Sequence, residues 1–262
     1  MKIAVCIKQV PDTSEIKIDP VKHTLIRDGV PAIVNPYDKN AVEAAVQLKE
    51  KHGGEVTVIT MGLPAAKKAL KECLAMGCDH AYLVTDRAFG GADTYATSYT
   101  LAETLRKLGP FDLILCGKQA IDGDTGQTGS SMSAHLGIPQ LTYALNIEVE
   151  ENKVKVHREV DEGEMVLEAE MPALITVGKD INVPRYPSIR SKMESYRAEI
   201  GEVHLEDLPG IDDTRIGLKG SPTRVKRSFT PDKTKHGIKI SGIGSETAVN
   251  GCFDFLTEKG LI

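Results

Sequence analysis

Four short apolar runs in the first half of the chain, residues 3–7, 56–60, 81–85 and 113–116, are separated by segments of helical length. That alternation limits the fold more than any other feature. Short, mostly apolar runs separated by helices read as strands buried on both faces, which places helices on both sides of a parallel sheet. The intervening segments agree. Residues 39–51 set Val42, Ala45, Val46 and Leu48 near helical spacing, behind Asp38 as a candidate N-cap. Residues 63–76 carry Pro64 in a first turn and meet Gly77 as a stop, and residues 93–108 put Leu101 and Leu105 on one face. In such sheets ligands bind beyond the carboxyl ends of the strands, where strand order reverses.

The second half changes its period. Residues 154–160 and 165–170 alternate like antiparallel strands around the turn-rich 161–164, and 173–177 reads as a further apolar strand. After Gly178 come Pro184, Pro187, Pro209, Pro222 and Pro231 among many charges, too sparse in apolar residues for a core of their own. The spaced apolar residues Ile189, Met193, Leu205, Leu208 and Ile211, with an apolar end after residue 252, favour an arm that orders on a partner. The expected class is α/β: a Rossmann-like parallel sheet flanked by helices, with an antiparallel addition and an extended C-terminal arm.

Lysine and arginine (32) against aspartate and glutamate (37) give a formal net charge of −5, which argues against a nucleic-acid binder. No apolar run reaches the ~18 residues that span a bilayer, so no membrane insertion is expected. Residues 1–7 read as a first strand, because Lys8 interrupts a run too short for a signal peptide. The five cysteines (6, 73, 78, 116 and 252) fit buried thiols in a reducing cytoplasm. The seven histidines (23, 52, 80, 135, 157, 204 and 236) lack metal-ligand spacing, and neither a metal site nor a catalytic acid–base set is expected.

The run at 113–116 empties into a loop with Gly117, Gly123, Gly126 and Gly129, interleaved with Thr125, Gln127 and Thr128. Packing side chains resume at Met132, Ala134 and Leu136. Free N–H groups at the positive end of a helix suit a diphosphate. An ordinary strand-to-helix turn also uses Gly and Thr, but four glycines with three hydroxyl or amide side chains exceed what a turn requires. Asp122 and Asp124 oppose a phosphate, so they are expected to cap, or to accept hydrogen bonds from a ribose or ring N–H. The spacing is neither a P-loop nor Gly-x-Gly-x-x-Gly. The first strand also leads into Lys8, Gln9, Val10 and Pro11 without a glycine fingerprint, which argues against an ordinary Rossmann dehydrogenase.

Taken together, residues 6–12 (Cys-Ile-Lys-Gln-Val-Pro-Asp), 35–38 (Asn-Pro-Tyr-Asp), 75–79 (Ala-Met-Gly-Cys-Asp), 117–129 and 184–186 (Pro-Arg-Tyr) resemble the beta subunit of electron transfer flavoprotein. The resemblance covers essentially the whole chain, and the 117–129 block is its most specific part. Residues 156–163, leading to 172–176, resemble the beta-subunit signature, with Met165 where Glu or Gln is expected. The resemblance implies an adenine-nucleotide-binding domain over residues 1–190 and, over 191–262, an arm packing on an alpha subunit that holds FAD. The beta site then holds AMP or, in the electron-bifurcating branch, a second FAD whose flavin meets NADH. Residues 85–94, followed by Ala96 and Thr97, resemble that branch's flavin-contacting loop, and residues 217–223 resemble a motif in its arm. The implied reaction takes hydride from NADH. One electron goes to ferredoxin or flavodoxin, and the other goes through the alpha-subunit flavin to a flavin-dependent dehydrogenase of acyl-CoA, enoyl-CoA or lactate type.

The same resemblance implies the contacts. Lys118, Gln119, Ala120 and Ile121 join the loop residues already named. Cys6 and Met61 wall the adenine. Gly91, Ala92, Asp93, Thr94 and Thr97 face the flavin, although Asp93 or Thr94 also suits a plain helix cap. Asn35 precedes Pro36 and is biased to extended backbone, which leaves its amide to read adenine or ribose. Asp38 serves either the ligand or the following helix, and Tyr37 either approaches the alpha-subunit flavin or packs. Arg185, Tyr186, Ile189 and Met193 form a segment for docking the dehydrogenase, with Ile189 as an apolar anchor in a charged rim or simply a buried side chain. The alternatives are a non-bifurcating carrier that binds AMP and, from another class, a stand-alone ATP-binding module or hydrolase.

Overall fold

A computed structural model describes residues 1–12, 31–226 and 246–262. His23, Pro231, His236 and arm residues 227–245 lie outside the described residues. β1 (Lys2–Ile7) precedes a short antiparallel pair, β2 (Gln9–Pro11) and β3 (Ala32–Val34). Then come α1 (Pro36–His52), β4 (Glu55–Met61), α2 (Lys67–Met76), β5 (His80–Val84), α3 (Thr94–Leu108), β6 (Leu113–Gly117) and α4 (Thr128–Leu136). The second half supplies β7 (Gln140–Glu150), β8 (Lys153–Val160), β9 (Gly163–Glu170), β10 (Ala173–Val177), α5 (Ile189–Arg197), β11 (Gly201–Val203) and α6 (Glu246–Glu258).

Nine strands form one sheet in the order β11-β5-β4-β1-β6-β10-β7-β8-β9. Pairing is parallel from β11 to β7 and antiparallel for β7–β8 and β8–β9. The inner strands are mostly apolar because both faces are covered, with Thr57, Thr60 and Thr176 as buried polar exceptions. In β1, Ile3, Val5 and Ile7 share a core with α1 and α2, whereas Ala4 and Cys6 share the opposite core with α3 and α4. From β1 the chain runs outward through β4 to β5, then crosses back to place β6 on the other side of β1. The β1–β6 seam is therefore the switch point, and its carboxyl end is where a ligand belongs.

The structure changes several expectations. α1 begins at Pro36 with Asn35 as its N-cap, so Asp38 lies inside the first turn and does not cap. The 63–76 segment splits into a 3-10 turn, Pro64–Ala66, and α2, which stops at Gly77 with φ +121°. The arm also divides. β11 adds to the sheet edge beside β5, and Val203, Leu208 and Ile216 are buried in the α3-side core. Residues 201–216 thus use this chain's own core, while α6 buries no residue. Cys6, Cys73, Cys78 and Cys116 are buried free thiols as expected, but Cys252 on α6 is exposed.

Candidate functional site

Asp38 joins the two strand ends at the switch point. Its carboxylate accepts the N–H of Lys8, just past β1, at 2.7 Å and the N–H of Gly117, at the end of β6, at 2.9 Å. Burial pushes this carboxyl up to about 7, against the pull of those two N–H groups and the Asn35 side chain. Gly117 is required by the close approach: a Cβ there would lie 2.4 Å from Asp38 Oδ1 and 2.6 Å from Tyr37 Cβ. Asn35 is fully buried. Its Nδ2 donates to Gln119 O at 2.8 Å, and its Oδ1 accepts from Ile121 N–H at 3.1 Å. The side chains of Asn35 and Asp38 therefore shape the 117–128 loop from beneath. Both ends of the Asn35 side chain are engaged by the loop backbone, through one bond at each.

The loop presents Ile121, Gly123, Asp124, Thr125 and Gln127 to the exterior, with Lys118, Ala120, Asp122, Gly126 and Thr128 half-buried. The two carboxylates that oppose a phosphate are both engaged. Asp122 pairs with Lys8 Nζ at 2.6 Å, and Asp124, at φ +48°, accepts from Gln119 Nε2 at 2.9 Å. α4 starts behind Gln127 without a side-chain cap, so its first-turn N–H groups keep the donor character of an anion-binding helix start.

A second loop, residues 91–94, approaches from α3. Asp93 is the N-cap of α3 and accepts Ala96 N–H at 3.1 Å. Thr94 Oγ1 lies 3.5 Å from Thr125 Oγ1, so the two loops meet over the seam. Gly91 takes φ +72°, Ala92 is half-buried, and Thr97 is half-buried one turn into α3. Beneath lie Cys6 and the half-buried Met61 at the carboxyl ends of β1 and β4. Burial, then Asp38, pushes the Cys6 thiol up to about 12, which keeps it a neutral wall rather than a nucleophile.

Tyr37, half-buried, and Lys118 stand beside two residues that sequence reasoning missed, Tyr143 and Arg158. The Lys118 ammonium lies 5.5 Å from the centre of the Tyr37 ring and 5.7 Å from that of Tyr143, and the Arg158 guanidinium lies 5.7 Å from Tyr143. Tyr143 sits in left-handed backbone (φ +60°) where β7 leaves its parallel pairing with β10 for β8. Among the described residues, the Arg158 Nε is buried without a hydrogen-bond partner. A tyrosine inside a strand pattern carries no signal for such a turn in the backbone.

Residues 22–208, more than half of the chain, match the family described as electron transfer flavoprotein domain. The chain belongs to the electron transfer flavoprotein family. It is 49% identical to electron transfer flavoprotein subunit beta of Megasphaera elsdenii, with all of both chains covered. It is 51% identical to the subunit of the same name from Clostridium acetobutylicum, over 95% of each chain. It is 48% identical to a caffeyl-CoA reductase-Etf complex subunit, CarD, of Acetobacterium woodii, again over the whole of both. The family is flavin-associated and works in electron transfer, and the beta type implies an alpha-subunit partner.

Within this electron transfer flavoprotein chain the 185–193 segment lies apart from the groove, against α1. Arg185 is not a free rim cation: its guanidinium forks onto Glu43 at 2.9 Å and Glu50 at 2.6 Å. Those two carboxylates raise its pKa further. For Glu43, burial works upward, but the Arg185 hydrogen bonds outweigh it and hold the group below the usual range. Ser188 caps α5, and beyond the Arg185 anchor Tyr186, Ile189 and Met193 are 97, 84 and 55% exposed. Ile189 is thus a surface side chain and not a core one. No helix among the described residues is long and apolar enough to cross a membrane.

Proposed function

We propose that the chain is the beta subunit of an electron-bifurcating electron transfer flavoprotein and that the seam between β1 and β6 holds FAD. The observation that carries this reading is the meeting of the 91–94 and 117–128 loops at Thr94 and Thr125, with Asp122 and Asp124 engaged by Lys8 and Gln119. The donor set fits the group. Loop N–H groups and the start of α4 suit the diphosphate, Cys6 and Met61 offer an apolar wall to adenine, and Thr94 and Thr97 on α3 extend the groove past the length of an adenylate.

A flavin bound there supplies acceptance of hydride from NADH and release of single electrons, one to ferredoxin or flavodoxin and one through the alpha-subunit flavin to a flavin-dependent dehydrogenase. This chain's residues bind and orient. Asn35 and Asp38 fix the loop that takes the phosphates, and Asp93 fixes the loop beside the ring. Ile189, Tyr186 and Met193, held out by the Arg185 fork, form the docking surface for the dehydrogenase. The CarD relative, named for a caffeyl-CoA reductase, favours the acyl-CoA or enoyl-CoA type over the lactate type. Residues 1–190 form the α/β nucleotide-binding domain. The arm from 191, anchored by residues 201–216, carries α6 with its exposed Phe253 and Phe255 to the alpha subunit. NADH and ferredoxin or flavodoxin as partners point to the cytoplasm.

The test is to release and count the nucleotides of the purified heterodimer. Two FADs per complex, with bleaching by NADH, is the expected result; one FAD with one AMP makes the chain a non-bifurcating carrier. In the two-FAD complex, replacing Thr94 and Thr97 together by alanine should weaken the beta-side flavin about ten-fold, roughly 1.4 kcal/mol, and leave the alpha-side flavin bound. Equal loss of both flavins, or of neither, contradicts the assignment of these threonines.

A further inference from the structure

The arm holds the 91–94 loop through Asp93, in addition to that residue's own capping of α3. The loop follows Gly90 and contains Gly91 in left-handed backbone, a pairing with little intrinsic rigidity. Asp93 Oδ1 caps α3, but Asp93 Oδ2 accepts two bonds from a residue 130 positions away: the Thr223 N–H at 3.0 Å and the Thr223 hydroxyl at 2.8 Å. The Asp93 N–H donates to Ser221 Oγ at 2.8 Å, and that hydroxyl in turn donates to Gly217 O at 2.7 Å. Leu218 N–H donates to Gly90 O at 3.0 Å. Gly217, at φ +55°, is required here, because a Cβ would lie 2.0 Å from Ala88 O. The same stretch of arm is seated on α3 itself. Asp212 N–H donates to the Tyr99 hydroxyl, Arg215 Nε donates to the Tyr95 hydroxyl, and the Arg215 guanidinium lies 4.0 Å from the centre of the Tyr99 ring.

We propose that Ser221 and Thr223 are positioning residues for the beta-side flavin, acting through Asp93 to hold residues 91–94 and the first turn of α3 against the ring. The inference rests on the FAD reading above. Burial of Asp93 opposes its ionisation, but the hydrogen bonds from Ala96 and Thr223 outweigh it and keep the carboxyl below its ordinary range. Asp93 can therefore serve both α3 and the arm as an acceptor.

The experiment compares heterodimers carrying Thr223→Val, Thr223→Ser and Ser221→Ala with Thr223→Val. Beta-side FAD affinity is measured by equilibrium dialysis, and the environment of that flavin by visible circular dichroism. Valine keeps the shape and the N–H but removes the hydroxyl. The expected result is a five- to ten-fold weaker beta-side FAD with an altered dichroic signature in Thr223→Val, a larger effect in the double variant, an unchanged alpha-side flavin, and native behaviour in Thr223→Ser. A double variant with native affinity and native dichroism overturns the proposal, as does a serine variant that fails like valine. An unaltered complex that releases AMP and a single FAD overturns the FAD reading together with this one. Two FADs that are insensitive to the double variant overturn only the positioning role.

Discussion

Asp38 is a buried carboxyl whose two oxygens serve the backbones of two different strands. An asparagine in its place offers one acceptor and an NH2 that confronts a backbone N–H. Asp38→Asn should therefore cost about 1–3 kcal/mol in chemical denaturation at pH 5. The sign of the pH dependence follows from the folded pKa. Burial raises it from 3.8 to about 7, so between those values the folded chain holds a proton that the unfolded chain has lost. Stability from this group is fullest below the unfolded value and falls as pH rises towards 7. The advantage of the native chain over the asparagine variant should shrink from pH 5 to 7, by up to about 1.4 kcal/mol per unit. An advantage that stays level over that range means that Asp38 is ionised in the folded chain as it is in the unfolded one. This role was not legible in the sequence. Asp38 ahead of a helical pattern looks like a cap, and its true donors lie 30 positions before it and 79 after it. The glycine loop was legible because Gly117, Gly123, Gly126 and Gly129 mark a backbone that must come close to something.

The inner strands were legible for a physical reason as well: coverage on both faces leaves unbroken apolar runs, as in β1 and β6. β7 was not, because its first residues pair inside the parallel sheet and its last ones in an outer hairpin, so no single period spans its eleven residues. β11 has three residues and draws its stability from β5 and from the α3-side core. The 185–193 segment was legible in composition but not in its anchoring, which needs Glu43 and Glu50 about two turns of α1 apart. Two outcomes follow at this scale. Ile189→Ala should slow electron delivery to the dehydrogenase ten-fold or more at sub-saturating concentration while leaving thermal unfolding unchanged, since an anchor residue matters only in the docked complex. An unaltered rate places the docking surface elsewhere. The Glu43 carboxyl, held below its ordinary value, contributes stability that is present above pH 4.5 and lost as pH falls through its folded value. The protection factors of amides around residue 185 should therefore fall on acidification below that point, ahead of those in the sheet. Protection that stays level with the sheet contradicts the fork as the segment's anchor.

For the whole molecule, the arm links three places: the sheet edge through β11, the α3 start through Ser221 and Thr223, and α6, which carries the exposed Val249, Phe253 and Phe255. A chain ending at residue 226 should keep its sheet and α1–α5 by far-ultraviolet circular dichroism and lose ten-fold or more in affinity for the alpha subunit, if the exposed Val249, Phe253 and Phe255 of α6 make the proposed contact with it. Undiminished affinity contradicts that role. The central claim concerns the seam between β1 and β6. A crystal structure of the heterodimer tests it most directly. FAD is expected there, with its diphosphate at the start of α4 and its ring beside Thr94. A seam holding AMP alone, or nothing, with the 91–94 loop turned away from it, contradicts the account.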